Sequence, residues 1–420
     1  MTLVQKLLLG RRNVLVPLIL STVFTSASAD SLVRENDPRH PLAPNPVRGE
    51  SPDFVVAEYS GMRFEPLSIA HSSHFKSEHM WVRKPSSQSK IKTKKVDWGV
   101  FRNPDRWASS REVLACLVWK EGALIYERYN HDRTEHHRLN GHSMTKTLTA
   151  LLMGIPLSEG KVVLDNPTHD YIPELKGHWL GEVTIRNHLK MAHGSDWSYD
   201  KKTAGDYWMR KYDIPNCTHN GPCGQDLFSV WKTYQKKDEQ GSVFNYSPVS
   251  SDILSLVISR AYGKNTSKVF EEKIWAKIGA QRDAFWRSSR INSSVTSGAD
   301  YFYATGRDWI RLGELLASLG SFRGTQVVDK TYVENMRNDV VKIGNQPTAE
   351  WRVANYGYQV AIDTDGKTLI LRGWRGQTLY VSPETQTVML VSTTDEIPNR
   401  HYDFWKWLKD IPLEKLGGGR

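Results

Sequence analysis

Cysteine is almost missing from this chain, with three residues in 420: Cys116, Cys217 and Cys223. That count excludes a multiply cross-linked scaffold and a four-cysteine zinc site. Cys217 and Cys223 close a short polar loop with His219 inside it, whereas Cys116 stands in the apolar run Val113-Leu114-Ala115-Cys116-Leu117-Val118. In an oxidising compartment the loop pair predicts a disulfide, and Cys116 a buried apolar side chain. His219 raises the loop's candidate metal ligands to three, one short of a structural zinc site. His136, His137 and His142 are not arranged as His-Glu-x-x-His, so neither a metal nor any other cofactor is expected.

Apolar runs long enough to cross a bilayer are also missing. The stretch Val14 to Phe24 is too short for a span and sits between Lys6, Arg11 and Arg12 on one side and Ala27-Ser28-Ala29 on the other. This is the pattern of a removable signal, which predicts a mature chain from Asp30, periplasmic or secreted, with no stable membrane insertion. No cysteine near the cleavage site offers a point for lipid attachment. Acidic residues are outnumbered, 46 against 56 Lys and Arg, for a formal charge of +10. Three cations and no acids leave with residues 1–29, so the mature chain stays basic. Its densest basic cluster, Lys84 to Lys95, mixes five lysines with Pro85 and three serines but no aromatic residue. That composition suits a solvated linker and excludes a nucleic-acid reading surface. No internal repeat of fixed period is visible.

What is present is a chain of mixed strand and helix signals. Residues 30–97, rich in Pro, Ser and charge, read as an N-terminal extension and linker. Val113-Val118 and Ala123-Tyr129, joined around Glu121-Gly122, predict a hairpin. Leu148, Leu151, Leu152 and Ile155 fall on one helical face, and Gly160 stops that helix. Residues 165–297 read as a mostly helical insertion, with Ser250 to Tyr262 its clearest amphipathic segment. Late strands are predicted at Tyr356-Ile362 and Thr368-Leu371, then at Gln377-Val381 and Thr387-Thr393, before a closing helix at Tyr402-Lys409. The fold class is therefore α+β: an antiparallel sheet flanked by helices, assembled from residues 98–164 and 298–420 around the insertion.

The chemistry begins at Ser143-Met144-Thr145-Lys146, where three-residue spacing at a helix start puts hydroxyl and amine on one face, one turn apart. An alcohol needs a neighbour to take its proton, and the positive end of the helix favours the developing alkoxide. Ser-x-x-Lys also begins at Ser73, Ser87, Ser89, Ser158, Ser198 and Ser229, so position and neighbours must decide. A cap serine followed by a solvent-facing lysine is the bland alternative.

The flanking text decides. Ser143-Met144-Thr145-Lys146-Thr147-Leu148-Thr149, Gly160-Lys161-Val162-Val163-Leu164-Asp165, Tyr171-Ile172-Pro173-Glu174-Leu175 and Thr184-Ile185-Arg186-Asn187-His188-Leu189-Lys190-Met191 resemble the serine β-lactamase and penicillin-binding superfamily. The resemblance is nearest to its class C and esterase-like branch, which includes aminohexanoate-oligomer hydrolases. His193-Gly194 departs slightly from the Ser-Gly usual there. The resemblance implies a β-lactamase-like fold, Ser143 as nucleophile, and Tyr246 of Tyr246-Ser247-Pro248 as proton shuttle. A phenol ionises near pH ~10, and a close ammonium such as Lys146 brings that value towards the working range. Either Tyr246 or Lys146 could take the proton of Ser143. Gly373-Trp374-Arg375-Gly376-Gln377 matches the inner-strand motif. It implies an oxyanion hole from the backbone N–H groups of Ser143 and Gln377, and a substrate wall at Trp374 and Gly376.

Two departures bear on substrate. Pro248 stands where an amide side chain follows Tyr-Ser, and Trp374 where Lys or His opens the third motif. Neither replacement can hold a β-lactam amide or carboxylate as the usual groups do. The implied enzyme is an esterase or amidase for a small substrate with an apolar or aromatic part, suggested also by Trp197, Trp208 and Trp231, although single tryptophans are more often core. The rival is a penicillin-binding or peptide-sensing protein with little turnover.

Overall fold

The computed structural model describes residues 79–86, 90–110, 112–130, 133–198, 227–287, 296–344, 353–393 and 400–416. The signal region and the Cys217–Cys223 loop, together with Trp208, lie outside these residues.

Among the described residues fourteen strands, β1 to β14, and five longer or site-bearing helices carry the architecture. Val113–Lys120 (β2) and Ala123–Tyr129 (β3) form the expected hairpin, turning at Glu121 and Gly122, both with positive φ. Every residue of β2 is buried because the sheet is covered on both faces, so the strand is continuously apolar up to Lys120. Lys120 is itself buried, and its ammonium donates to Thr387 Oγ1 at 2.6 Å and to the Lys409 carbonyl at 3.2 Å. A cation at a helix C-terminus satisfies carbonyls that have no partner within the helix.

The main sheet is antiparallel and eight-stranded, in the order β3-β2-β14-β13-β12-β11-β10-β9. Its late strands are β9 (Val341–Lys342), β10 (Val353–Tyr356), β11 (Ala361–Asp363), β12 (Leu369–Gly373), β13 (Gln377–Ser382) and β14 (Thr387–Thr393). Helices α1 (Met144–Ser158) and α4 (Gly306–Ala317) pack on one face, and α5 (Arg400–Lys409) packs on β14, with Trp405 stacked on Tyr380 of β13 in the second core. Pairing of β14 with β2 joins the two ends of the folded region, as the sequence suggested.

The strand expected over Tyr356–Ile362 is two strands. β10 ends at Tyr356, the chain bends through Gly357–Val360 with Gln359 at φ 54°, and β11 runs back antiparallel. Gly357 makes the bend possible, since a Cβ there would lie 1.9 Å from the Met336 carbonyl oxygen. Likewise, residues 165–297 are not helical throughout. Ala284–Arg287 forms β5, which pairs with His79–Val82 (β1) from the N-terminal extension. Together with β6 (Phe302–Thr305) and β4 (Arg138–Asn140) these strands make a second sheet, ordered β1-β5-β6-β4, and β7 (Ser321–Phe322) and β8 (Thr325–Gln326) form a small hairpin. The insertion also supplies α2 (Ile185–Leu189) and α3 (Pro248–Tyr262); α3 packs against both α1 and α2.

Candidate active site

β4 delivers the chain to Ser143 through a tight turn. Gly141 N–H bonds to the Phe302 carbonyl at 3.0 Å, and His142 N–H bonds to Asn140 Oδ1 at 2.8 Å with its own φ at 44°. Ser143 opens α1, but its hydroxyl makes no capping bond. It accepts instead from Lys146 Nζ at 2.9 Å. Lys146 is 1% exposed, whereas Lys161 and Lys232, which end two of the other Ser-x-x-Lys matches, face solvent.

A second bond fixes the amine, from Nζ to the Ala299 carbonyl at 2.7 Å. That carbonyl sits in a segment tied down on both sides. Gly298 N–H donates to Asp252 Oδ1 at 2.9 Å, the Gly298 carbonyl accepts from Thr149 Oγ1 at 2.8 Å, and Phe302 N–H donates to Thr145 Oγ1 at 3.1 Å. Gly298 packs so tightly that a Cβ would lie 1.9 Å from the Ser251 carbonyl oxygen. The threonines of α1 thus bind the strap that aims the lysine.

Tyr246 arrives from the other side, just before α3. Ser247 caps that helix, its Oγ accepting from Val249 N–H at 3.2 Å, and Pro248 fills the first helical position, where a missing N–H costs nothing. Lys146 Nζ lies 5.0 Å from the centroid of the Tyr246 ring. Tyr356 meets that ring edge-on at 6.0 Å and 90°. Burial pushes the Tyr356 phenol well above its ordinary value, with the neighbouring Tyr246 phenol adding to the rise. Ser143, Tyr246 and Tyr356 line one narrow cleft, with Gln359, Ile370 and Arg372 among its other walls. Gln359 is a strut: its Oε1 accepts from Ser251 Oγ at 2.6 Å and its Nε2 donates to the His188 carbonyl at 2.7 Å.

The third motif forms a one-turn link between β12 and β13. Arg375 (φ 59°) and Gly376 (φ 78°) both take left-handed backbone, which suits glycine at the second position. Trp374 is 37% exposed and meets His142 edge-on at 5.6 Å. The Gln377 side chain points into the sheet, donating to the Thr393 carbonyl at 2.5 Å and accepting from Ser392 Oγ at 2.7 Å. Ser143, Lys146 and Tyr246 therefore come together from two helix starts, Trp374 adjoins them through His142, and Gly376 and Gln377 follow Trp374 in the link from β12 to β13. Trp197 and Trp231 are buried core.

Sequence reasoning missed the Ala299 carbonyl, Tyr356 and Gln359. Gly298 was the one visible signal; nothing local marks the other two. Among the described residues no helix is long and apolar enough to cross a membrane, and no three His, Cys, Asp or Glu side chains gather where a metal could sit.

Residues 104–410 match the family model described as beta-lactamase. A 6-aminohexanoate-dimer hydrolase of Paenarthrobacter ureafaciens is 23% identical over 305 residues, covering 69% of this chain and 74% of that protein. A solved Bacillus anthracis structure assigned as a 6-aminohexanoate-dimer hydrolase superposes with a TM-score of 0.71 at 21% identity, covering 82% of this chain and 93% of that one. A family VIII carboxylesterase structure has a TM-score of 0.52 at 15% identity, covering 70% and 89%. With the fold, the match over most of its length and hydrolases among its relatives, this chain belongs to the beta-lactamase family and is a serine hydrolase of that fold.

Proposed function

We propose that the enzyme cleaves a small ester or amide through an acyl-enzyme on Ser143, with Lys146 and Tyr246 moving the proton. The observation that carries this reading is the 2.9 Å bond from buried Lys146 to Ser143 Oγ, made by an amine that also stands over the Tyr246 ring. The serine proton passes to this pair as Oγ bonds to the carbonyl carbon. Negative charge on the former carbonyl oxygen is met by the backbone N–H groups of Ser143 and Gln377, each such donor being worth about 3 kcal/mol of barrier. Collapse of the intermediate breaks the bond to the leaving group, which takes the proton through Tyr246. Water then repeats the sequence and frees the acid.

Pro248 and Trp374 weigh against efficient β-lactam turnover, and relatives named as a hydrolase of an amino-acid dimer and as a carboxylesterase support an ester or amide. Export through residues 1–29, to the periplasm or beyond, belongs to the same proposal and is tested by N-terminal sequencing. The decisive experiment for mechanism is labelling with a fluorophosphonate and peptide mapping. Label on Ser143, lost in Ser143→Ala together with activity, is the expected outcome; label and activity surviving in that variant would place the nucleophile elsewhere.

A further inference from the structure

Among the described residues nine that are not glycine have positive φ, and three of them, His142, Tyr301 and Arg375, meet in one cluster beside Ser143. Such backbone is costly and persists where surroundings enforce it, typically around functional sites. The cluster is made of rings. His142 lies 5.6 Å from Trp374 and 6.1 Å from Tyr301, between centroids. Tyr301 stacks at 6.5 Å and 10° on buried Tyr303, and the Arg375 guanidinium lies 4.7 Å over the Trp374 ring.

Its layering is the informative feature. Trp374 and half-buried Tyr301 form the outer rings, while His142, at 6% exposure, and Tyr303, at 2%, lie beneath them. Large exposed apolar side chains are scarce among the described residues: Val163, Val243 and Trp374, of which only the last is aromatic. Strained backbone on both sides, at His142 and Arg375, thus holds an indole with more than a third of its surface in solvent. Contact with Arg375 and His142 fixes the ring beforehand, which lowers the entropy lost when a ligand lands on it.

We propose that Trp374 and Tyr301, with His142 wedged between them, form a subsite for a flat aromatic group of the substrate next to its scissile bond. The placement next to the scissile bond rests on Ser143 being the reacting group. Flat rings gain from offset or edge-on contact with such a wall, whereas an alkyl chain of similar size gains only burial.

The test uses the purified full chain and two ester pairs, phenyl against ethyl acetate and methyl benzoate against methyl acetate, which separate a ring on the leaving group from one on the acyl group. Each kcat/KM is divided by the wild-type value, so intrinsic reactivity cancels. In Trp374→Ala the aromatic member of one pair should fall about tenfold further than its aliphatic partner, with a smaller excess in Tyr301→Leu. Equal losses for both members would overturn the subsite. A second readout needs no turnover: N-phenylacetamide should bind wild type more tightly than N-butylacetamide does, by ligand-observed NMR, and Trp374→Ala should erase that difference. Absence of the difference in wild type would overturn the proposal even if Ser143 proves to be the nucleophile. Its presence in a protein that hydrolyses neither esters nor amides would leave the subsite standing and remove the proposed acyl-enzyme reaction.

Discussion

Gly373 lies against Gly141 so closely that a Cβ on it would sit 2.3 Å from the Gly141 carbonyl oxygen. The end of β12 and the turn before Ser143 are thus in backbone contact. Gly373 has φ −126°, which alanine adopts freely, so distance alone demands glycine here. Gly373→Ala should separate the two segments, lowering kcat/KM by more than tenfold while costing about 1–3 kcal/mol of stability, as overpacking does. Steady-state kinetics beside thermal melting check this. An unchanged kcat would show that the turn yields without moving Ser143.

On the proposed mechanism Ser143, Lys146 and Tyr246 act on one proton, so their losses should not add. Ser143→Ala, Lys146→Ala and Tyr246→Phe should each remove most turnover. The double variant Ser143→Ala/Tyr246→Phe should be about as inactive as Ser143→Ala alone. Additive losses, measured on a single ester under first-order conditions, would mean that the phenol works apart from the serine.

Ester hydrolysis should exceed penicillin hydrolysis by a wide margin. Pro248 serves as the first residue of α3 and offers no side-chain amide, and Trp374 offers no cation. Comparable kcat/KM values for a penicillin and an acetate ester would show that other residues of the cleft, Arg372 first among them, supply those contacts.

Acid should weaken the fold before carboxylates titrate fully. His188 and His193 are buried below the Tyr246 loop; burial holds His193 down to about 4 and pushes His188 well below its ordinary value. Unfolded histidine titrates near ~6.5. Between the folded and unfolded values the unfolded chain binds more protons, so stability rises with pH across that window and is lost as pH falls from about 6.5 towards 4. Melting temperatures at several pH values, for wild type and His193→Gln, decide it. The variant should lose less stability on acidification; an identical slope would mean His193 is not held neutral.

Legibility from sequence followed the range of the interactions. The β2–β3 and β13–β14 hairpins and α1 were readable because turn residues and apolar spacing are local. Resemblance placed Ser143, Lys146 and Tyr246, whereas spacing alone could not separate Ser143 from six other matches. What separates it is burial of Lys146, a property of α3 and residues 296–302 packing on α1. The bend at Gly357 was hidden within an apparently continuous strand, because its cause is the Met336 carbonyl of a distant helix. β1 and β5 were likewise hidden, each being four residues long and supported by the other.

The second sheet also sets an order of events. β4, which leads into Ser143, is held by β6 through Leu139↔Ala304, and β1 is held by β5 through His79↔Arg287. Each pairing spans well over a hundred residues, and closing such long loops is slow and comes after local structure. A ribosome that has released only the first half of the chain has released the serine and the lysine but not the Ala299 carbonyl or the strand that grips their turn. The nascent protein therefore carries Ser143 and Lys146 without the geometry around them, and hydrolytic competence should arrive late in folding.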